Sequence, residues 1–270
     1  SYTSKMDTLR IPHNRYPLQE VYQFLSKTLL SITTLRELNL SLIPFESRFV
    51  QHLTSYTLPQ LPLLETLILS TNSITEGRVL SLQNIKNLTK LSLHDNKFTS
   101  GRKALSESLA CLPHLTYLDL CRCFTVYGDL YRLLAPHRNL YHLDISGCNI
   151  RDMHFVNIFP LLMNMTNLQV LGLGSNFLRA ESVPLFDKLI QGLPNLIVME
   201  VNHMNWMKPP STVELFQHLS TGNFRRLDLV QTCITPRLGS DLCQLIRSLP
   251  SLEVLNLADN KLDMEHALEL

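Results

Sequence analysis

The sequence has almost no charge imbalance. Lys and Arg together number 24 against 23 for Asp and Glu, so no global field draws it to the phosphates of a nucleic acid or to an anionic membrane surface. It also lacks a long apolar run. Stretches such as Leu61 to Leu69 are broken by proline or charge well short of the roughly 20 residues that span a bilayer, and no membrane is expected as a partner. The opening SYTSKMDTLRIPHNRY carries no cationic start followed by an apolar segment, the mark of a secretory signal, although a trimmed chain would lack one too. There is a single Trp, and the six Cys, at 111, 121, 123, 148, 233 and 243, form no flanking cluster of the kind that caps extracellular repeat proteins. Reduced thiols in the cytoplasm or nucleus are expected.

Catalytic signatures are missing as well. There is no GxSxG turn, HExxH helix or phosphate-cradling glycine loop. His142 and Asp144 fall on one strand face about 7 Å apart by the two-residue repeat, with no activated nucleophile near them. In Cys121-Arg122-Cys123, strand alternation sends Cys123 inward and Cys121 to the outer face, which splits a metal-binding pair, so Cys121 reads as an exposed thiol. Neither an enzyme nor a bound metal or cofactor is expected. Three Asn-x-Ser/Thr acceptors, at Asn39, Asn87 and Asn164, matter only in a secreted chain.

What the chain has is apolar material, 45% of residues against 17% charged, enough for a packed core. That material is periodic. The pattern L-x-x-L-x-L-x-x-N/C-x-L appears as LETLILSTNSI at Leu64, LTKLSLHDNKF at Leu88, LQVLGLGSNFL at Leu168 and LEVLNLADNKL at Leu252. Looser copies begin at Met6, Leu35, Leu115, Leu140, Leu196 and Phe224, so the units start near 6, 35, 64, 88, 115, 140, 168, 196, 224 and 252. The spacings are 29, 29, 24, 27, 25, 28, 28, 28 and 28 residues. A unit of this length leaves about 16 residues after each block, enough for a turn and three turns of α-helix.

In each block the first, fourth and sixth residues alternate into the core from a short strand. Asn72 turns inward to bond backbone groups that the curving chain leaves unpaired, and Cys123 and Cys148 stand in the same column. Val183, Phe186, Leu189 and Ile190 fall at helical spacing, and Gly192-Leu193-Pro194 ends that helix. Leu-Pro in CLPHL, GLPNL and SLPSL marks the return from helix to strand. Pro209 and Pro210 forbid helix, Ser211 to Glu214 reads as a capping box, and a bulged loop is expected near 207 to 211. Trp206 belongs to the core.

These blocks resemble the leucine-rich repeats of the ribonuclease-inhibitor-like group over essentially the whole chain. The resemblance implies an α/β fold: one domain over residues 1–270, a right-handed leucine-rich-repeat solenoid or horseshoe of about ten strand-helix units. A parallel sheet lines its concave face and helices its convex face. It also implies a function, protein recognition on the concave strands. Owners of such arrays include ribonuclease inhibitor, the sensing domains of NOD-like receptors and the substrate receptors of cullin-type ubiquitin ligases. Residues 115 to 150, with Gly128, Leu130, Leu133 and Leu134 ahead of a block with Cys148, resemble the short unit of PRAME-type proteins, whose members can act as cullin-based ligase receptors. No separate elongin- or cullin-binding segment accompanies them.

On the open face the third and fifth positions point away from the core. They place Tyr117, Asp119, Arg122, Tyr141, His142 and Asp144 side by side, with Lys90, His94 and Asp95 one strand earlier. Tyr and Arg combine large contact area with directional hydrogen bonds, which makes this the expected partner-binding patch; ordinary solvated positions are the alternative. Gly172, Gly174 and Ser175 form a hollow of small residues beside a ridge of Glu200, Asn202 and His203, which could seat a peptide, unless the glycines simply relieve crowding between strands. A structural scaffold is the competing function. The chain ends at EHALEL, partway into the helix expected after Leu262, so a flanking domain or another chain is expected to cover the last core edge.

Overall fold

The computed structural model describes residues 6–11, 17–123, 130–204 and 209–262. The expectations that rest on Gly128, Trp206, Met207 and the final EHALEL lie outside them. The chain divides into two compact units, Ser1–Leu140 and Tyr141–Leu270.

Ten three-residue strands recur at the sequence period. In the first unit β1 (Thr8–Arg10), β2 (Glu37–Asn39), β3 (Thr66–Ile68), β4 (Lys90–Ser92) and β5 (Tyr117–Asp119) pair in sequence order, all parallel. In the second, β6 (His142–Asp144), β7 (Val170–Gly172), β8 (Val198–Glu200), β9 (Arg226–Asp228) and β10 (Val254–Asn256) do the same. The register sets third position against third, as Lys90 against Tyr117 and His142 against Val170. Parallel pairing of neighbours needs a crossover, and helices supply it. Helices α1 (Leu18–Thr28), α2 (Ser47–His52), α3 (Arg102–Ala110) and α4 (Leu130–Leu134) belong to the first unit, and α5 (Asp152–Met163), α6 (Val183–Gly192), α7 (Pro209–Leu219) and α8 (Gly239–Ser248) to the second.

The core follows the block letters. Leu64, Leu67 and Leu69, like Leu88, Leu91 and Leu93, are fully buried, each worth about 2 kcal/mol of apolar burial. Helix α6 carries Val183, Phe186, Leu189 and Ile190 on its buried face and ends at Gly192, as its spacing indicates. The Leu-Pro returns are tight turns: the backbone N–H of Leu115, Leu196 and Leu252 each donates to the carbonyl three residues earlier, on Leu112, Leu193 and Leu249.

The asparagine column does what its chemistry requires. Asn96 accepts from the backbone N–H of Asn72 and Ile74 at 3.1 and 3.0 Å and donates to the carbonyls of Leu69 and Leu93 at 2.6 and 2.8 Å. Asn72 accepts from Ile43 at 2.9 Å. At Cys123 the thiol donates to the Leu93 carbonyl at 2.9 Å, and the Thr232 hydroxyl takes the same column with a 2.8 Å bond to Leu229.

Two expectations about the helices change. The shortest unit, 24 residues from Leu64 to Leu88, has no α-helix: two single 3₁₀ turns, Gly77–Val79 and Leu82–Asn84, carry the chain back, burying Val79, Leu80, Leu82 and Ile85. Pro209 and Pro210 do not forbid helix but open α7, where the missing N–H groups would have had no partner in any case.

One regularity escaped the letters. The eighth residue of each described block from Leu42 onward is left-handed, with φ between 52° and 64°: Leu42, Thr71, Asp95, Arg122, Gly147, Ser175, His203, Gln231 and Asp259. In this conformation the N–H of Thr71 reaches the carbonyl of His94 at 2.7 Å, and that of Gly147 reaches Gly174 at 2.8 Å. A β-branched side chain is poorly tolerated there, at about 1–2 kcal/mol. Thr71→Gly is therefore expected to raise stability by about 0.5–1 kcal/mol, after the entropy a glycine adds to the unfolded chain, and Gly147→Thr to lower it by about 1–2 kcal/mol. Urea unfolding midpoints check both, and equal midpoints would refute the strain.

Candidate functional site

The strands present their third positions outward. In the first unit Lys90 is exposed and Tyr117, beside it in register, is half-buried, while Arg122 projects from its left-handed turn into solvent. His94 and Asp119 complete this group. In the second unit Tyr141 and His142 are half-buried, with ring centroids 6.5 Å apart and an edge-on angle of 69°, next to Asp144; Glu200 is half-buried and His203 exposed.

Asp119 is held from several sides. Ser92 donates its hydroxyl to Asp119 Oδ2 at 2.7 Å and stands 2.8 Å from the Ser70 hydroxyl, the Cys121 backbone N–H donates to Oδ1 at 3.0 Å, and His94 Nδ1 lies 3.8 Å from Oδ1. Burial pushes the Asp119 carboxyl up. The nearby His94 imidazole and the hydrogen bonds from Ser92 and Cys121 outweigh it and hold the group below its ordinary value. The carboxylate sits between hydroxyl and imidazole. A relay that activates a nucleophile needs the imidazole in the middle, so this geometry anchors His94 rather than arming Ser92.

The fifth-position column has a second role that strand alternation alone does not reveal. Asn39 accepts from the backbone N–H of Ser41 at 3.0 Å, Asp119 from Cys121, Asp144 from Ser146 at 2.8 Å and Asn256 from Ala258 at 3.2 Å. Each side chain caps the N–H two residues on, an Asx turn that closes the strand. The column is also less open than alternation implies. Ser92 is buried, Gly172 is buried, and Asp228 is 2% exposed beneath the Arg226 guanidinium, which donates to it at 2.7 and 3.4 Å. That hydrogen bond, with the charge of Asp228, raises the Arg226 pKa further.

Two sequence readings are corrected here. The small-residue hollow is filled: a Cβ on Gly172 would stand 2.3 Å from Asp144 Oδ1, and one on Gly174 would stand 2.9 Å from the Asn202 carbonyl oxygen. The glycines accommodate their neighbours, not a peptide. Asn202 and His203 turn toward the next strand, Asn202 accepting from the Val230 N–H at 3.0 Å and His203 Nδ1 bonding Gln231 Oε1. Cys121, expected to be exposed, is buried.

Attention to the strands alone also passes over a hollow on the turn side of the second unit, lined by Arg151, Asp152, Met153, Phe177 and Arg179. Phe177, like Phe124, is a large apolar residue at the tenth block position, where Ser73, Lys97, Asn149 and Lys261 are polar. Among the described residues no group of three His, Cys, Asp or Glu is placed to hold a metal ion, and no helix is long and apolar enough to cross a membrane.

No protein-family model matches the sequence. The chain is similar to Protein PAC2 of Saccharomyces cerevisiae (strain ATCC 204508 / S288c), 27% identical over 183 residues, which is 67% of this chain and 31% of that protein. It thus spans less than a third of that relative's length.

Proposed function

We propose that the chain is a leucine-rich-repeat solenoid of the ribonuclease-inhibitor-like type that recognises a protein partner on its strand face and catalyses no reaction. The observation that carries this reading is the row of third-position side chains, exposed or half-buried on every strand and held in register by parallel pairing. A regular array of short strands offers alternating pockets and ridges to a protein surface, with Tyr and Arg as anchors. The absence of an imidazole placed between acid and hydroxyl in the Ser92, His94 and Asp119 group supports a binding role over a catalytic one. Near-neutral charge favours a protein over a nucleic acid, and the scattered cysteines favour a reducing compartment, cytoplasm or nucleus.

The test spares the capping acids. A first-unit variant, Lys90→Glu with Tyr117→Ala and Arg122→Glu, and a second-unit variant, Tyr141→Ala with His142→Ala and His203→Ala, leave Asp119 and Asp144 in place. Quantitative capture from cell lysate is expected to show a partner of the wild-type chain reduced about tenfold or more in at least one variant, with melting temperatures unchanged. Survival of every specific partner in both variants would refute the assignment.

A further inference from the structure

On the strand face of the first unit, the hydroxyl protons have fixed destinations. Ser92 gives its one proton to Asp119 Oδ2 at 2.7 Å. The 2.8 Å contact between the Ser70 and Ser92 hydroxyls can then be made in one way, with Ser70 donating and Ser92 accepting. One strand back, Ser41 gives its proton to Asn39 Oδ1 at 2.7 Å. Neither Ser41 nor Ser70 has a hydroxyl proton left, so both offer a partner oxygen lone pairs only.

These two serines stand side by side. Parallel pairing sets Asn39 against Ile68, and further along the same ladder the Leu42 N–H donates to the Ser70 carbonyl at 2.9 Å, which puts Ser41 beside Ser70. Both are half-buried and open to solvent in part. Neighbouring strands lie about 4.8 Å apart, and two hydrogen bonds of about 2.8 Å leaving one tetrahedral nitrogen span about 4.6 Å. An ammonium group therefore fits between the two oxygens. Ile68, half-buried on the same face and two residues before Ser70, gives a methylene stem an apolar surface to lie on. Charge points the same way. Asp95 and Asp119 follow on the next two strands, whereas Arg10 is engaged by Glu37 and Arg36 by Glu65. Lys90 is four residues before His94, the register partner of Ser70, and so about 13 Å along the strand, beyond the screening length of about 8 Å. Lys97 and Arg122 are exposed on the turns.

We propose that this part of the strand face takes a lysine side chain of the protein partner, its ammonium donating to the Ser41 and Ser70 hydroxyl oxygens and its methylenes lying on Ile68. The inference rests on the strand face being the recognition surface and adds the chemistry recognised there. A carboxylate or carbonyl from the partner would meet two oxygens that have no proton to give. The flat fork of an arginine matches the paired oxygens of a single carboxylate, which are closer together than these two.

A random peptide library displayed on phage and panned on the full chain tests this, with counter-selection on a Ser41→Ala, Ser70→Ala variant that melts cooperatively. Enrichment of lysine-bearing peptides is expected. The most enriched peptide, fluorescently labelled, should lose about tenfold or more in affinity when norleucine, which keeps the stem and removes the donors, replaces its lysine, and likewise when the chain carries the two alanines. With the alanine variant the lysine and norleucine peptides should bind alike. No enrichment over counter-selection, enrichment of arginine, asparagine or glutamine in place of lysine, or a norleucine peptide that binds the wild-type chain as tightly would each overturn the proposal. A parallel selection without the counter-step separates its failure from that of the strand-face reading. Peptides weakened by Lys90→Glu, Tyr117→Ala, Arg122→Glu but indifferent to the two alanines would overturn the lysine site and leave that reading standing, whereas peptides indifferent to these changes and to Tyr141→Ala, His142→Ala, His203→Ala would overturn both.

Discussion

Replacing His137 by leucine is expected to remove an acid-sensitive component of stability and to stabilise the protein at neutral pH. His137 is 3% exposed and sits three residues before the block at Leu140, a position that Ile32, Leu61, Ile85, Leu112, Met165, Leu193 and Leu249 fill with buried apolar side chains. Among the described residues its Nε2 has no hydrogen-bond partner. Burial alone pushes its pKa down to about 4 from 6.5. The sign follows directly. Above pH 6.5 the ring is neutral whether the chain is folded or not, and titration adds nothing. As pH falls below 6.5 the unfolded chain takes up a proton that the folded chain refuses, so stability falls, by about 3 kcal/mol at pH 4. In His137→Leu that loss disappears, and removal of an unpaired buried polar atom adds about 1–3 kcal/mol at pH 7. Urea unfolding of both proteins from pH 7 to pH 4 measures it. The wild-type curve should fall away from the variant's below pH 6.5; curves that stay parallel would show the ring is not held neutral.

The second large effect lies in the asparagine column. Asn176 is 4% exposed and makes four hydrogen bonds. It accepts from the N–H groups of Cys148 and Ile150, both at 3.0 Å, and donates to the carbonyls of Ile145 and Leu173 at 3.0 and 2.8 Å. Asn176→Ala leaves these backbone groups without the side chain in a site too tight for free hydration, and is expected to cost about 4 kcal/mol. Asn176→Cys should cost about half as much, since a thiol there can donate one bond, as Cys123 does to Leu93. Equal losses for Ala and Cys would show that volume rather than hydrogen bonding decides the column.

Much of this was legible in the letters, and the reasons differ by element. Strand positions follow from leucine alternation because a three-residue strand with two apolar neighbours has one way to face the core, as at Leu67 and Leu69. The polar ladder follows because a buried amide must find partners. The helix at Val183 follows from its spacing. The left-handed eighth position was hidden because its occupants share no single residue type: Gly147, Asp95 and Asp259 favour that conformation, whereas backbone bonds to the next strand impose it on Thr71 and Leu42. The missing α-helix of the 24-residue unit reflects length rather than composition, which apolar periodicity does not report.

The candidate site was legible in part. Tyr117 and His142 stand on outward strand positions as alternation requires, Tyr141 borders them just ahead of β6, and Lys90 and Arg122 are exposed. What pattern reading missed is competition for the same side chains. Asp119 and Asp144 serve the backbone of their own strand ends, and Asp144 also occupies the space that Gly172 vacates. A carboxylate two residues before an unpaired N–H is captured locally before any partner arrives.

The central claim, that the strand face recognises a protein, is tested most directly by site-specific photo-crosslinking in cells. A photoreactive phenylalanine derivative replaces Tyr117 on β5 in one sample and the exposed Lys103 on α3 in another. The account predicts a discrete cross-linked protein product at position 117 that is absent at position 103. A product formed at 103 with none at 117 would contradict it.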